Sequence, residues 1–203
     1  MSYLKFSDMQ LDALKELGNI GAGNAATALS QLLNRKIDMT VPYVNIVKFD
    51  EVFSRISGEE PVVGVIVRVL GSAPGNILFI FERIVALNII ELMTGKREEE
   101  EEISEMGYSV LCEIGNIIAG SYMNAISKFT NLLITPSVPA VTYDMLGAIL
   151  STTFIESGQY DDYVLDIETM FLNSDLNQDI SGHFYYVPMP GSLEKMLNAL
   201  GVI

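Results

Sequence analysis

Apolar and small residues recur at helical spacing along two long stretches of the chain, and each stretch begins at a serine suited to capping a helix. Ser7 stands three residues before Gln10, the spacing of a capping box, and Ser104 precedes the second stretch. The pattern therefore predicts two long amphipathic helices. Their apolar sides consist of Leu14, Leu17, Gly21, Ala25, Ala28 and Leu32 in the first helix and of Leu111, Ile114, Ile118, Ala125 and Phe129 in the second.

Runs of apolar and β-branched residues bounded by turn residues follow each helix and predict strands. Short turns between successive strands, such as the glycine- and proline-containing segment 71–75, imply antiparallel pairing. The sequence therefore predicts an α/β (α+β) fold, with one largely antiparallel sheet flanked by two long equivalent helices and shorter helices. The expected strands are 41–49, 61–70, 74–82, 138–144, 162–172 and 183–189, and the expected shorter helices are 83–95 and 192–200. Segment 145–158 could form a helix or a strand, and we favour a helix.

The two long helices carry the same sequence pattern at an offset of 97 residues. Residues 14–23 read LKELGNIGAG and residues 111–120 read LCEIGNIIAG, so seven of ten positions are identical. Such a repeat indicates duplication. We expect residues 1–203 to form a single domain of two pseudo-symmetric halves, about 4–97 and 101–203, joined by an acidic connector at 98–102. The identity continues at Ser30 and Ser127, at Asn34 and Asn131, and at Val41-Pro42 and Val138-Pro139.

Polar residues of the repeat fall on one side of each helix. At about 100° per residue, Asp12, Glu16 and Asn19 share an arc of about 60°, opposite the apolar side. We call these three residues the first stripe. Their counterparts Ser109, Glu113 and Asn116 form the second stripe, with the same geometry. Both stripes are expected outside the core, where packing does not require a glutamate and an asparagine.

Glycines accompany both stripes, although a glycine inside a helix costs about 1 kcal/mol relative to alanine. Gly18 and Gly115 precede the asparagines, and Gly23 and Gly120 follow them. We interpret these four as residues that leave the stripe bare for the backbone of another protein. Gly21 faces the core and is expected to serve packing of the helix on the sheet.

Composition excludes several function classes. The net charge of −14 and the pI of about 4.3 disfavour nucleic acid and membrane surfaces as partners. The single cysteine, Cys112, fits a reducing cytoplasm and is interpreted as a small apolar filler. The single histidine, His183, has no acidic neighbour in sequence, and we assign it no role. The sequence shows neither metal-ligand spacing nor a phosphate-binding GxxxxGK[ST] loop.

A carboxylate and a carboxamide one turn apart can still orient a water molecule and pair with a cation. Those functions suffice for a substrate that is already activated and carries its own metal ion, such as an acyl phosphate. The full spacing is [Asp/Ser]-x3-Glu-x2-Asn-x22-Pro, and it occurs as Asp12, Glu16, Asn19, Pro42 and again as Ser109, Glu113, Asn116, Pro139. This motif resembles that of the CheC, CheX and FliY family of chemotaxis phosphatases, and LKELGNIGAGNAATALS is similar to the first helix of its CheC branch.

The resemblance implies a cytoplasmic hydrolase that dephosphorylates phosphorylated CheY and uses magnesium supplied by CheY, with no cofactor or metal of its own. It implies that Asn19 and Asn116 position the attacking water and that Glu16 and Glu113 pair with a lysine of the regulator. Asp12 and Ser109 would support them, and Pro42 and Pro139 would be structural. It also implies a second partner, the receptor deamidase CheD, whose contact we place near 145–158, a segment without a counterpart in the first half.

Two other interpretations remain open from sequence. The protein could be a non-catalytic binding module that sequesters CheD or the response regulator, because a bare helix face suits docking as well as chemistry. The duplicated helices could also form a symmetric structural unit whose stripes only face water.

Overall fold

The structure is a computed structural model that describes residues 7–34, 36–48, 51, 61–97, 103–157, 163–173 and 178–202. The expected acidic connector at 98–102 lies outside the described residues, as do positions 49, 158 and 162 at the ends of expected elements. The elements in chain order are α1 (Asp8–Leu33), β1 (Ile37–Lys48), β2 (Pro61–Gly71), β3 (Gly75–Glu82), α2 (Arg83–Thr94), α3 (Glu105–Thr130), β4 (Ile134–Pro136), β5 (Ala140–Met145), α4 (Leu146–Ser157), β6 (Tyr163–Asn173), β7 (Gln178–Pro188) and α5 (Ser192–Ala199).

The predicted elements are confirmed in type and order. The capping box of α1 is present, because Ser7 Oγ accepts from Gln10 N at 3.4 Å and Ser7 N donates to Gln10 Oε1 at 2.8 Å. Segment 145–158 contains the helix α4, as predicted. Two strands begin earlier than predicted, β1 at Ile37 and β7 at Gln178. The expected strand 138–144 corresponds to β5, and the short strand β4 before it was not predicted.

The described strands form one seven-stranded sheet in the order β1-β6-β7-β3-β2-β4, and β5 also pairs with β2. Every pairing is antiparallel, which confirms the predicted sheet type. The two halves of the chain interleave: β1 pairs with β6 of the second half, while β4 and β5 pair with β2 of the first. The β3–β7 pair lies in the middle of this strand order, and Phe79 lies opposite Phe184 in it.

Several repeated residues connect each long helix to the strand that follows it. Ser30 Oγ accepts from Ile37 N at 2.9 Å and donates to Ile37 O, and Ser127 Oγ donates to Ile134 O at 3.3 Å. Asn34 and Asn131 end their helices in the left-handed conformation, with φ of 49° and 56°. Asparagine tolerates this conformation better than most residues. Their recurrence therefore follows from the turn.

The helices lie on both faces of the sheet. Helices α1 and α3 cover one face and contact each other, while α4 packs through Leu146, Ile149 and Leu150 against the opposite face. The expectation that Gly21 serves helix–sheet packing is wrong. A Cβ at Gly21 would lie 2.7 Å from Tyr122 Cδ1, so this glycine permits close contact between α1 and α3. Tyr122 in turn stacks on Phe184 of the sheet, with ring centroids 4.6 Å apart.

Candidate functional site

Both stripes are exposed on the outer side of their helices. Asp12, Glu16 and Asn19 are exposed, whereas Leu14 and Leu17 on the other side are 5% and 6% exposed. The second helix repeats this arrangement, with exposed Ser109, Glu113 and Asn116. The recurrence of glutamate and asparagine is therefore not explained by burial.

The structure does not bring the two stripes together into one site. Gly18, next to the first asparagine, faces Val41 of β1 and Ile167 of β6. Gly115, next to the second, faces Val65 of β2 and Pro139. Strands β1 and β6 lie at one end of the sheet order and β2 lies near the other. Each stripe is therefore a separate candidate site above its own side of the sheet.

The interpretation of the glycines is wrong for two of the four. Gly18 and Gly115 are buried against the sheet, and a Cβ at Gly115 would lie 2.5 Å from Val65 Cγ1. Gly115 therefore lets its helix approach β2 closely, whereas a Cβ at Gly18 would lie 3.4 Å from Val41 Cγ1, an ordinary contact. One residue along a helix is a rotation of about 100°, which carries these glycines away from the stripe. Gly23 and Gly120 fit the prediction, because a Cβ at either would have no neighbour within 4 Å.

The two motif prolines coincide with irregularities in the sheet. The β1–β6 register shifts between Thr40 and Tyr43, at Val41-Pro42, and the chain between β4 and β5 is irregular at 137–139. Proline has no N–H to donate to a ladder, which places it at edges and bulges. The irregularities differ in one respect: Val41 is 2% exposed, whereas Val138 is 87% exposed.

The bulge gives Asn19 a partner that Asn116 does not have. Val41 N donates to Asn19 Oδ1 at 3.3 Å. Because a backbone N–H can only donate, this contact assigns the oxygen of the carboxamide inward and its NH₂ group outward. The side chain of Asn116 makes no hydrogen bond to the part of the chain that the structure describes. The need to pair the N–H of Val41 at the bulge therefore explains Asn19 alone and does not explain why asparagine recurs.

The remaining positions give the two sites different electrostatics. The first stripe has two exposed carboxylates, Asp12 and Glu16, while the second has only Glu113. The Ser109 hydroxyl donates to Glu105 O at 2.9 Å, within its own helix. Cys112, beside Glu113, is partly buried, and burial raises the pKa of its thiol. The thiol therefore stays protonated at neutral pH and is a poor nucleophile.

Sequence reasoning missed two features. His183 Nδ1 lies 3.8 Å from Asp166 Oδ1, an acidic neighbour that is found only across the β6–β7 pair. Met9 and Met106 are 67% and 64% exposed and occupy equivalent positions one turn before each stripe. Their identity at the offset of 97 residues was the signal that could have revealed them.

Two classes of feature are absent among the residues that the structure describes. No group of three or more His, Cys, Asp and Glu side chains there could hold a metal ion. None of the described helices is long and apolar enough to cross a membrane.

The fold of this chain is similar to that of a solved structure of FliY. The crystal structure of Thermotoga maritima FliY matches this chain with a TM-score of 0.81 and 25% identity, and the match covers 98% of each chain. The fold therefore places the chain in the class of proteins that are structurally similar to FliY.

Sequence comparison narrows this class. The model of the CheC-like family matches residues 9–46 and 106–143, the two stretches that hold the stripes. The CheY-P phosphatase CheC of Bacillus subtilis (strain 168) is 38% identical over 196 residues, which are 95% of this chain and 94% of that protein. The flagellar motor switch phosphatase FliY of the same strain is 33% identical over 137 residues, 66% of this chain but 36% of FliY. The chain belongs to the CheC-like family, as its motif predicts.

Proposed function

We propose that this protein is a phosphatase that hydrolyses the aspartyl phosphate of phosphorylated CheY, with one active site on each long helix. One observation carries the site assignment. Glu16 and Asn19 recur as Glu113 and Asn116 on exposed surfaces, and neither burial nor a shared hydrogen bond explains both copies. The relative from Bacillus subtilis, similar over nearly the whole chain, is named as a CheY-P phosphatase and supports the reaction.

Each site acts by positioning a water molecule against the acyl phosphate. A water molecule attacks the phosphorus of the acyl phosphate, the bond between phosphorus and the aspartate oxygen breaks, and carboxylate and inorganic phosphate are released. The carboxamide of Asn19 or Asn116 holds the water in line with the leaving carboxylate. Such orientation accounts for much of the rate enhancement in phosphoryl transfer. The regulator supplies the magnesium ion that offsets charge on the phosphoryl oxygens.

The glutamates hold the docked geometry. Glu16 and Glu113 are exposed one turn before the asparagines and pair with a lysine of the regulator. Exposed ion pairs contribute about 0.2–1 kcal/mol each, so the pair orients the regulator more than it binds it. Asp12 adds a second carboxylate at the first site, and Ser109 adds none at the second. Pro42 and Pro139 act indirectly, through the irregular backbone beside each helix.

A second partner, CheD, is proposed to contact α4. This helix lies on the face of the sheet opposite α1 and α3, and Ile155 on it is 81% exposed. A partner bound there leaves both stripes accessible. The alternative function, a non-catalytic module that sequesters CheD or the regulator, uses the same surfaces without hydrolysis.

The test is the decay of radiolabelled phospho-CheY. We expect wild-type protein to accelerate the decay and the Asn19→Ala/Asn116→Ala variant to abolish the acceleration with its circular dichroism unchanged. The matched control is Asn24→Ala/Asn198→Ala, which makes the same substitution at exposed helical asparagines outside the stripes. A double variant as active as wild type would overturn the site assignment. A wild-type protein that binds CheY without accelerating decay would favour the binding module.

A further inference from the structure

Four exposed residues of α1 recur identically in α3, where the last of them, Gly120, is half-buried, and they form a longer strip than the catalytic pair. On α1 they are Met9, Glu16, Asn19 and Gly23, which fall within an arc of about 80° at 100° per residue. The other exposed positions of α1 carry different residues in α3; Gln31, for example, corresponds to Lys128. At 1.5 Å per residue the strip extends for about 21 Å. Identity on the exposed side is thus concentrated around the candidate active residues.

A large apolar side chain stands at the N-terminal end of each strip. Met9 is 67% exposed and Met106 is 64% exposed. Single exposed apolar residues are common on protein surfaces and need no explanation. Two exposed methionines at equivalent positions beside equivalent stripes do need one, because neither packs into the core. Methionine is flexible and polarisable, which suits a contact with another protein.

We propose that Met9 and Met106 are apolar anchors on which the phosphorylated regulator docks, one at each active site. This inference rests on the proposed function, because the occupant is the substrate protein itself. Its docking surface is continuous with the stripe: Met9 lies seven residues before Glu16, about 10 Å along the helix. The net charge of −14 favours a partner with basic groups around this contact. The fitting partner surface therefore has a lysine near its phospho-aspartate and an apolar depression about 10 Å beyond that lysine.

An anchor of this kind affects docking and leaves the chemical step alone. Its loss should raise KM, while kcat at saturating regulator stays the same. Removing most of an apolar side chain from a contact that excludes water corresponds to about a fivefold or larger change in KM. A purely structural role would show no such split between KM and kcat.

The experiment uses full-length protein with one working site. In the Asn116→Ala background, only the first site remains, and Met9→Ala should raise KM for a CheY-type regulator phosphorylated with acetyl phosphate about fivefold. Met9→Leu should restore KM to within about twofold, because leucine keeps an apolar contact. The matched control is Met189→Ala, which removes an exposed methionine outside both long helices. In the Asn19→Ala background, Met106→Ala should raise KM to a similar extent.

The outcomes separate this inference from the function on which it rests. If neither single-site parent accelerates phosphate release, the proposed function fails. If the parents are active and Met9→Ala and Met106→Ala keep the parental KM, the anchors are wrong and the phosphatase stands. A fall in kcat with KM unchanged would also overturn the anchors, since it would place the methionines in the chemical step.

Discussion

Asn19 and Asn116 occupy the same motif position, yet their carboxamides have different surroundings. The Oδ1 atom of Asn19 accepts a hydrogen bond from the N–H of Val41, which lies at the bulge of β1. The corresponding residue of the second half, Val138, faces solvent. The sequence predicted both asparagines as an equivalent pair, because their neighbours in the helices match. The difference arises from the strand that follows, where identical Val-Pro pairs adopt different backbones. The spacing of apolar and polar residues along the helices carries no information about that backbone.

The first prediction at this scale concerns the amide of Val41. In wild-type protein it should exchange slowly with solvent, because Val41 is buried and its N–H is bonded to Asn19. Asn19→Ala should abolish this protection and lower the free energy of unfolding by about 1 kcal/mol, the usual net value of a hydrogen bond. Hydrogen exchange followed by NMR, together with urea denaturation, measures both quantities.

The matched control is Asn116→Ala, which removes the same side chain from the other stripe. It should leave the exchange rate of Val41 and the stability close to their wild-type values, since the side chain of Asn116 makes no hydrogen bond to the described part of the chain. Equal exchange of Val41 in all three proteins would show that the bond does not persist in solution.

At the scale of elements, the hydrophobic pattern predicts where the helices and strands lie, but it does not predict which strands pair with each other. The alternation of residues along β1 would be the same with any partner strand. Its local sequence therefore does not show that it pairs with β6 of the other half. The roles of Gly18 and Gly115 were misassigned for a different reason. A glycine beside a functional residue in sequence is turned by about 100° from it, and these two therefore face the sheet.

The glycines of α3 give the prediction at this scale. A Cβ at Gly115 would lie 2.5 Å from Val65 Cγ1 in the buried core, so Gly115→Ala should lower the free energy of unfolding by about 1–3 kcal/mol through overpacking. Gly120→Ala places the same methyl group on the same helix, where no atom lies within 4 Å. It should raise stability by up to about 1 kcal/mol, because alanine is the better helix former.

Urea denaturation of the two variants measures this contrast. Their midpoints should move in opposite directions from that of the wild type. If both variants were destabilised, Gly120 would have a structural role that the open space around it does not reveal. If both were stabilised, α3 would lie farther from β2 than the structure indicates.

In the whole molecule, the sheet separates two surfaces. Strand residues alternate between its faces, so Phe79 points toward α1 and α3 while Leu78 packs in the cluster that includes α4. The stripes and the proposed CheD contact therefore lie on opposite sides of a continuous layer. Sequence reasoning located α4 by its lack of a counterpart in the first half. It could not assign a face, because that depends on the interleaved strand order.

Separate surfaces predict separable functions. Ile155→Asp places a charge on the exposed side of α4, where the residue is 81% exposed and the fold tolerates it. A charge buried without a partner in an apolar contact is costly, so CheD binding measured by calorimetry should weaken at least tenfold. Phospho-CheY hydrolysis measured without CheD should remain at the wild-type rate, because the stripes are untouched.

Leu133→Asp, at a residue that is 76% exposed outside α4, is the control and should bind CheD normally. Unchanged CheD binding in Ile155→Asp would place the contact elsewhere, and a joint loss of binding and hydrolysis would show that the two faces are coupled through the sheet.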